Sequence, residues 1–303
     1  MKIEMASNQT SLSTMRAREL PTTLVYRAGL FIVLLACSMA VFLFGTNYVS
    51  LFPTNGNTTY AASITGIFLI AALLFKRSDR FNKYWLVTYA FFIASSINLI
   101  SVLFSGYNTD FVRLFGWTSD ENRIMALAKI YETLLVIVPI IVLTLISGAD
   151  LGSIFLKVGN QNYKWGFGVG GLVLADFFTS ALIFFGPGYE LAKLGPVIGW
   201  AFLFSIFNAL SEELWIRGLF MKKMYPLIGI AGTVLLTSLT FGLLHMTSVV
   251  YLPAFAVPIF LINTFAMGLA CGILMYKTDS IWGAYLIHMA ADVFLFVATL
   301  AAR

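Results

Sequence analysis

The chain is broken into nine apolar stretches, at roughly 28–48, 61–75, 84–104, 124–147, 165–185, 196–221, 233–252, 254–276 and 281–302. Most approach the ~20 residues that a helix needs to cross the hydrocarbon of a bilayer. A segment in lipid must satisfy its own backbone hydrogen bonds, so only helices and closed barrels can span. These runs are continuous rather than alternating, which excludes the barrel. The expected fold is therefore all-α, a polytopic transmembrane helix bundle of about 8–9 spans, with 61–75 the shortest. Composition agrees, since charged residues are 11 % of the chain against about 25 % in soluble domains.

Placing the N-terminus in the cytoplasm puts 14 of the 19 Lys and Arg residues on the inner side and 4 outside, with Lys129 within the membrane. That asymmetry predicts a multi-pass protein of the cell membrane with a cytoplasmic N-terminus. The net charge of +5 then reflects topology and the anionic lipid of the inner leaflet, and no basic domain calls for nucleic acid. Residues 1–23 are rich in Ser, Thr, Asn and Gln and are expected to form a flexible polar tail. The first apolar run lies too far from the start for a cleaved leader and is expected to be a retained helix. Cys37 and Cys271 sit far apart in apolar runs and imply neither a disulfide nor a metal motif. The polar, glycine-containing stretch 148–164 divides the chain into N-terminal helices over 24–147, of unassigned role, and a C-terminal part over 148–303 that holds every motif.

Only two histidines occur, His245 and His288, each in a long apolar stretch. Ionisable groups at membrane depth are costly and usually line a bundle interior or a watery cavity. Each cluster in the C-terminal part is an i, i+4 pair, whose members share one helix face. Glu213 pairs with Arg217, Phe241 with His245, and His288 with Asp292. Glu212 is rotated away from the Glu213–Arg217 pair by about 100°, which leaves it free to transfer a proton. Elsewhere, Lys129 with Glu132, and Asp176, are intramembrane charges expected to neutralise or hydrogen-bond one another. Gly268 and Gly272 form a small-residue pair expected to let their helix approach a neighbour closely.

Depth tests whether the clusters can meet. At 1.5 Å per residue, Glu212 lies about 15 Å from Lys222, His288 about 10 Å from Ile281 and His245 about 18 Å from Thr233. All three then fall at one level on the cytoplasmic side of the midplane. The value for His245 requires its helix to start near Thr233, with 225–232 as an interfacial turn.

Glu212-Glu213-x-x-x-Arg217, Phe241-x-x-x-His245 and His288-x-x-x-Asp292, in that order on three hydrophobic helices, resemble the CPBP (Abi) family of intramembrane proteases, named for CAAX prenyl proteases and bacteriocin-processing enzymes. The resemblance covers about 150–303. It implies an endopeptidase in which Glu212, assisted by His245, activates the attacking water. His288 and Asp292 would hold the oxyanion or the scissile carbonyl, and Glu213, Arg217 and Phe241 would support them. The family is classed as metalloprotease by motif, so Glu212, His245, His288 and Asp292 are also a candidate zinc set; a metal-free glutamate mechanism is equally compatible. The implied partners are the lipid bilayer and a membrane-associated, prenylated or leader-type protein substrate. An ionised Asp292 cannot donate to an oxyanion and can instead orient His288. Two other readings remain open: a non-catalytic binding or immunity module of the same fold, and a bis-histidine cofactor-binding or transport protein.

Overall fold

The computed structural model describes residues 23–45, 56–160, 163–185, 191–246 and 254–301. Among them the chain is all-helical. The helices are α1 (Leu24–Ser38, continuing as a π-helical turn Met39–Leu43), α2 (Gly56–Arg77), α3 (Trp85–Phe104), the short α4 (Asn108–Arg113) and α5 (Glu121–Ile146), followed by α6 (Tyr163–Phe185), α7 (Leu191–Glu212, continuing as a π-helical stretch Glu213–Gly218), α8 (Met221–Leu244), α9 (Val257–Thr278) and α10 (Trp282–Ala301). Seven are long and apolar enough to cross a membrane; α6 and α10 offer shorter apolar stretches, Trp165–Phe177 and Trp282–Leu295. The short second run expected at 61–75 is a full-length 22-residue helix. Apart from Thr23, the polar tail lies outside the described residues, as do the expected ends of the first and seventh runs.

Local chemistry explains several boundaries. The Asp120 carboxylate caps α5 by accepting from the backbone N–H of Asn122 at 3.0 Å and Arg123 at 3.3 Å, two donors that no earlier turn can pair. Helix α8 breaks at Gly229, whose φ of 77° is open to glycine without steric cost. It restarts there, with the Thr233 hydroxyl donating to the Gly229 carbonyl at 2.8 Å. That break supports counting the depth of His245 from near Thr233, although 221–228 is itself helical. In the π-helical turn of α1, the carbonyls of Ala40 and Val41 accept from Tyr60 at 2.9 Å and Asn98 at 2.6 Å. Gly45 closes over this turn where a Cβ would stand 2.5 Å from the Val41 oxygen.

Helices α6 to α10 form one packed unit, in which α7 lies along α10, α10 along α6, and α9 against both α6 and α8. The N-terminal helices do not stand apart from it. Helix α5 packs on α7 and α1 on α8, with Phe91 against Phe220 at 4.7 Å and Phe42 against Trp215 at 5.0 Å between ring centroids. Beyond Gly229, α9 meets α8 through Gly268 and Gly272, where a Cβ would lie 3.0 Å from Ser238 Cα and 3.2 Å from Val234 Cγ1. The small-residue pair thus works as expected, bringing two backbones together.

The polar stretch after α5 is a docked strap rather than a linker. Asp150 caps a 3₁₀ turn, Leu151–Ile154, and Ile154 and Phe155 are fully buried beneath the junction of α7 and α8. Lys222 donates to the Gly152 carbonyl at 2.7 Å, Ser280 to that of Lys157 at 2.7 Å, and Asp279 pairs with both Lys157 and Lys222. A Cβ on Gly218, next to Arg217, would stand only 3.0 Å from the Ile154 oxygen. The strap therefore presses on the turn that carries the acidic pair.

Candidate active site

The three motifs come together. Glu212 ends the regular part of α7, Glu213 and Arg217 lie in its π-helical extension, Phe241 and His245 close α8, and His288 and Asp292 sit one turn apart on α10. The wider register of the extension differs from the regular helix assumed in reading the spacing, yet Arg217 still meets Glu213 in an ion pair with both side chains fully buried. Removing two charges from water is unfavourable unless they pair closely, and here they do. One face of the guanidinium lies over the Phe241 ring, 4.4 Å from its centroid, a favourable desolvated cation–π contact.

Each imidazole is oriented by its Nδ1. His245 Nδ1–H donates to the Phe241 carbonyl at 2.9 Å, and His288 Nδ1–H donates to Glu213 Oε1 at 2.7 Å. Both Nε2 atoms then face Glu212 Oε2, at 3.9 Å from His245 and 3.8 Å from His288. Among the described residues neither Glu212 Oε2 nor His288 Nε2 has a hydrogen-bond partner, although both are buried. An oxygen atom placed between them lies within hydrogen-bond reach of each. The Glu212 and His245 side chains remain 19 % and 17 % exposed while His288 is closed off, so the approach to the site is from the Glu212–His245 side.

Phe241 explains its place in the motif. Fully buried, it packs on the His245 ring at 4.3 Å and edge-on to His288 at 5.3 Å, spacing the two imidazoles. Asp292 Oδ1 lies 3.5 Å from His288 Nε2, too far for a strong hydrogen bond, so the orienting carboxylate is Glu213. The other Asp292 oxygen, Oδ2, accepts from Asn208 Nδ2 at 3.0 Å. Asn208 belongs to none of the three motifs; its position one turn before Glu212 on the same face is the signal that points to it. Lys129 and Glu132 neutralise each other at 2.7 Å on α5, whereas Asp176 stands on an exposed face of α6.

The donor chemistry of Glu212, His245, His288 and Asp292 suits zinc. Among the described residues no group of three or more His, Cys, Asp or Glu side chains is positioned to hold a metal ion, and Asp292 is engaged by Asn208.

Fold and site together define an all-helical membrane protein with a buried carboxylate–imidazole centre. Residues 194–294 match the family model described as type II CAAX prenyl endopeptidase Rce1-like. This third of the chain is similar to that family, which points to a protease, and it contains all seven motif residues. Neither the curated proteins nor the solved structures contain a match.

Proposed function

We propose that the chain is an intramembrane endopeptidase, with its catalytic core in residues 148–303, that cleaves membrane-associated proteins of the prenylated CAAX type without a metal. The observation that carries this reading is the convergence of two imidazole Nε2 atoms on the unpartnered Oε2 of Glu212. A water held there donates one hydrogen to Glu212 and the other to His245. Glu212 takes the proton as the water oxygen attacks the carbonyl carbon, and later returns it to the leaving amine. An Nε2–H of His288 donates to the carbonyl oxygen as it becomes an oxyanion. Because Glu213 and Phe241 hold the ring in advance, the donor needs no reorganisation during the reaction.

The bis-histidine reading finds less support. Phe241 and the Glu212 carboxylate occupy the space between the rings, where a planar cofactor would need an open slot. The bias of basic residues supports a cytoplasmic N-terminus and strap, and with them a cytoplasmic end of α7 that carries Glu212, so the site takes substrates from the inner leaflet. Membranes from cells carrying the wild-type chain or Glu212→Gln test the function in place. An uncut protein with a lipidated C-terminus should accumulate in the variant; identical membrane proteomes contradict the proposal.

A further inference from the structure

The proteolytic reading leaves Asp292 without a task, because an acceptor-only carboxylate beside His288 competes for the Nε2 hydrogen that the reaction uses. We infer that Asn208 is a positioning residue that holds Asp292 off His288. This inference rests on the function proposed above and deepens it.

Asn208 and Asp292 are both buried, at 8 % and 9 % exposure, and the Asn208 Nδ2 to Asp292 Oδ2 hydrogen bond ties α7 to α10. The Ser211 hydroxyl next to this pair donates to the Asn208 backbone carbonyl at 2.9 Å, so it makes no claim on the side-chain amide. A buried carboxylate needs a donor. With Asn208 supplying it at Oδ2, Oδ1 stays 3.5 Å from His288 Nε2, and Nε2 is left to the Glu212 side of the site. Without that amide, the contact that remains to Asp292 in the structure is His288 Nε2, at 3.5 Å. The carboxylate turns onto it, and the ring loses its donor toward the substrate carbonyl. Asn208 thus acts on the reaction through Asp292, without touching the substrate.

The chain contains two histidines, so labelling histidine with ¹⁵N in the full-length protein in nanodiscs gives two ring systems, assigned with His245→Gln. Asn208→Leu, close in volume but without a donor, should shift the His288 ring resonances and leave those of His245 in place. With an internally quenched farnesylated CAAX peptide it should lower kcat by about tenfold and change KM by less than about twofold. In an Asp292→Asn background the same substitution should add no further shift, because the two residues act as one unit. Unmoved His288 resonances in Asn208→Leu, or an equal shift in both backgrounds, would overturn the inference. Should leucine prevent folding, Asn208→Ser, too short to reach Asp292, gives the same readings. If the wild-type chain leaves the peptide intact, the proteolytic reading is the one that fails, and the resonances still decide the role of Asn208.

Discussion

Glu213 Oε1 accepts from Nδ1 of His288 at 2.7 Å, and the same oxygen pairs with Arg217. The ion pair and the orientation of the imidazole are therefore one arrangement. A charge pair that reads as helix support in the sequence also sets the direction of the His288 ring, so under the proposed function damage to it should reach both stability and turnover.

Arg217→Ala tests that link. It strands a buried carboxylate, at a cost of about 3–5 kcal/mol, and thermal unfolding in detergent should show the loss. Because Glu213 still meets His288, cleavage by the folded fraction should fall without vanishing. An unfolding midpoint equal to that of the wild type contradicts the pairing.

Phe241→Ala opens a cavity against Arg217, His245 and His288 and should cost about 3–5 kcal/mol. Phe241→Leu keeps most of the volume and should retain the fold. Without the ring between the imidazoles, it should lower kcat more than it raises KM. Equal kcat values for Phe241→Leu and the wild type would show that the ring only fills space.

At Gly268 a Cβ would stand 3.0 Å from Ser238 and 3.2 Å from Arg217 Nη2. Gly268→Ala should therefore destabilise by about 1–3 kcal/mol through overpacking. Gly66, on α2, has nothing within 4 Å of the same position, and Gly66→Ala should be neutral or stabilising by up to about 1 kcal/mol. Matching unfolding midpoints for the two variants would contradict the close approach of α8 and α9.

The strap carries its own pH signature. Burial pushes the Asp279 carboxyl up, but its hydrogen bonds to Lys157 and Lys222 outweigh this and hold it below the usual carboxylate range. The hydrogen bond to Asp279 in turn raises Lys157. A depressed carboxylate stabilises the fold above its unfolded value, about 3.9, and that contribution disappears as pH falls through the folded value. The gap in unfolding midpoint between wild type and Asp279→Asn should be full at neutral pH and close below about pH 4. A gap that persists unchanged in acid would show that the strap holds by packing alone.

Much of this is legible in the sequence because lipid leaves the backbone few options. The apolar runs mark the long helices and their order, and the i, i+4 pairs mark Glu213, Arg217, Phe241, His245, His288 and Asp292. Contacts that cross between helices are hidden. Spacing along α10 suggests that Asp292 orients His288, but Glu213 from α7 does so, because the π-helical extension of α7 turns its carboxylate toward the ring. Asn208 reads as one polar residue in an apolar helix, since its partner lies 84 positions away. The strap reads as a divider because its polarity resembles a linker, while its anchors, Lys222, Asp279 and Ser280, belong to distant turns.

The central claim is that Glu212 is the base that activates water. Purified wild-type chain, Glu212→Gln and His245→Gln, reconstituted in vesicles with a farnesylated CAAX peptide, test it most directly. The account predicts cleavage by the wild type, none by Glu212→Gln despite an unchanged unfolding midpoint, and a slower reaction with His245→Gln. Full activity in Glu212→Gln would contradict it.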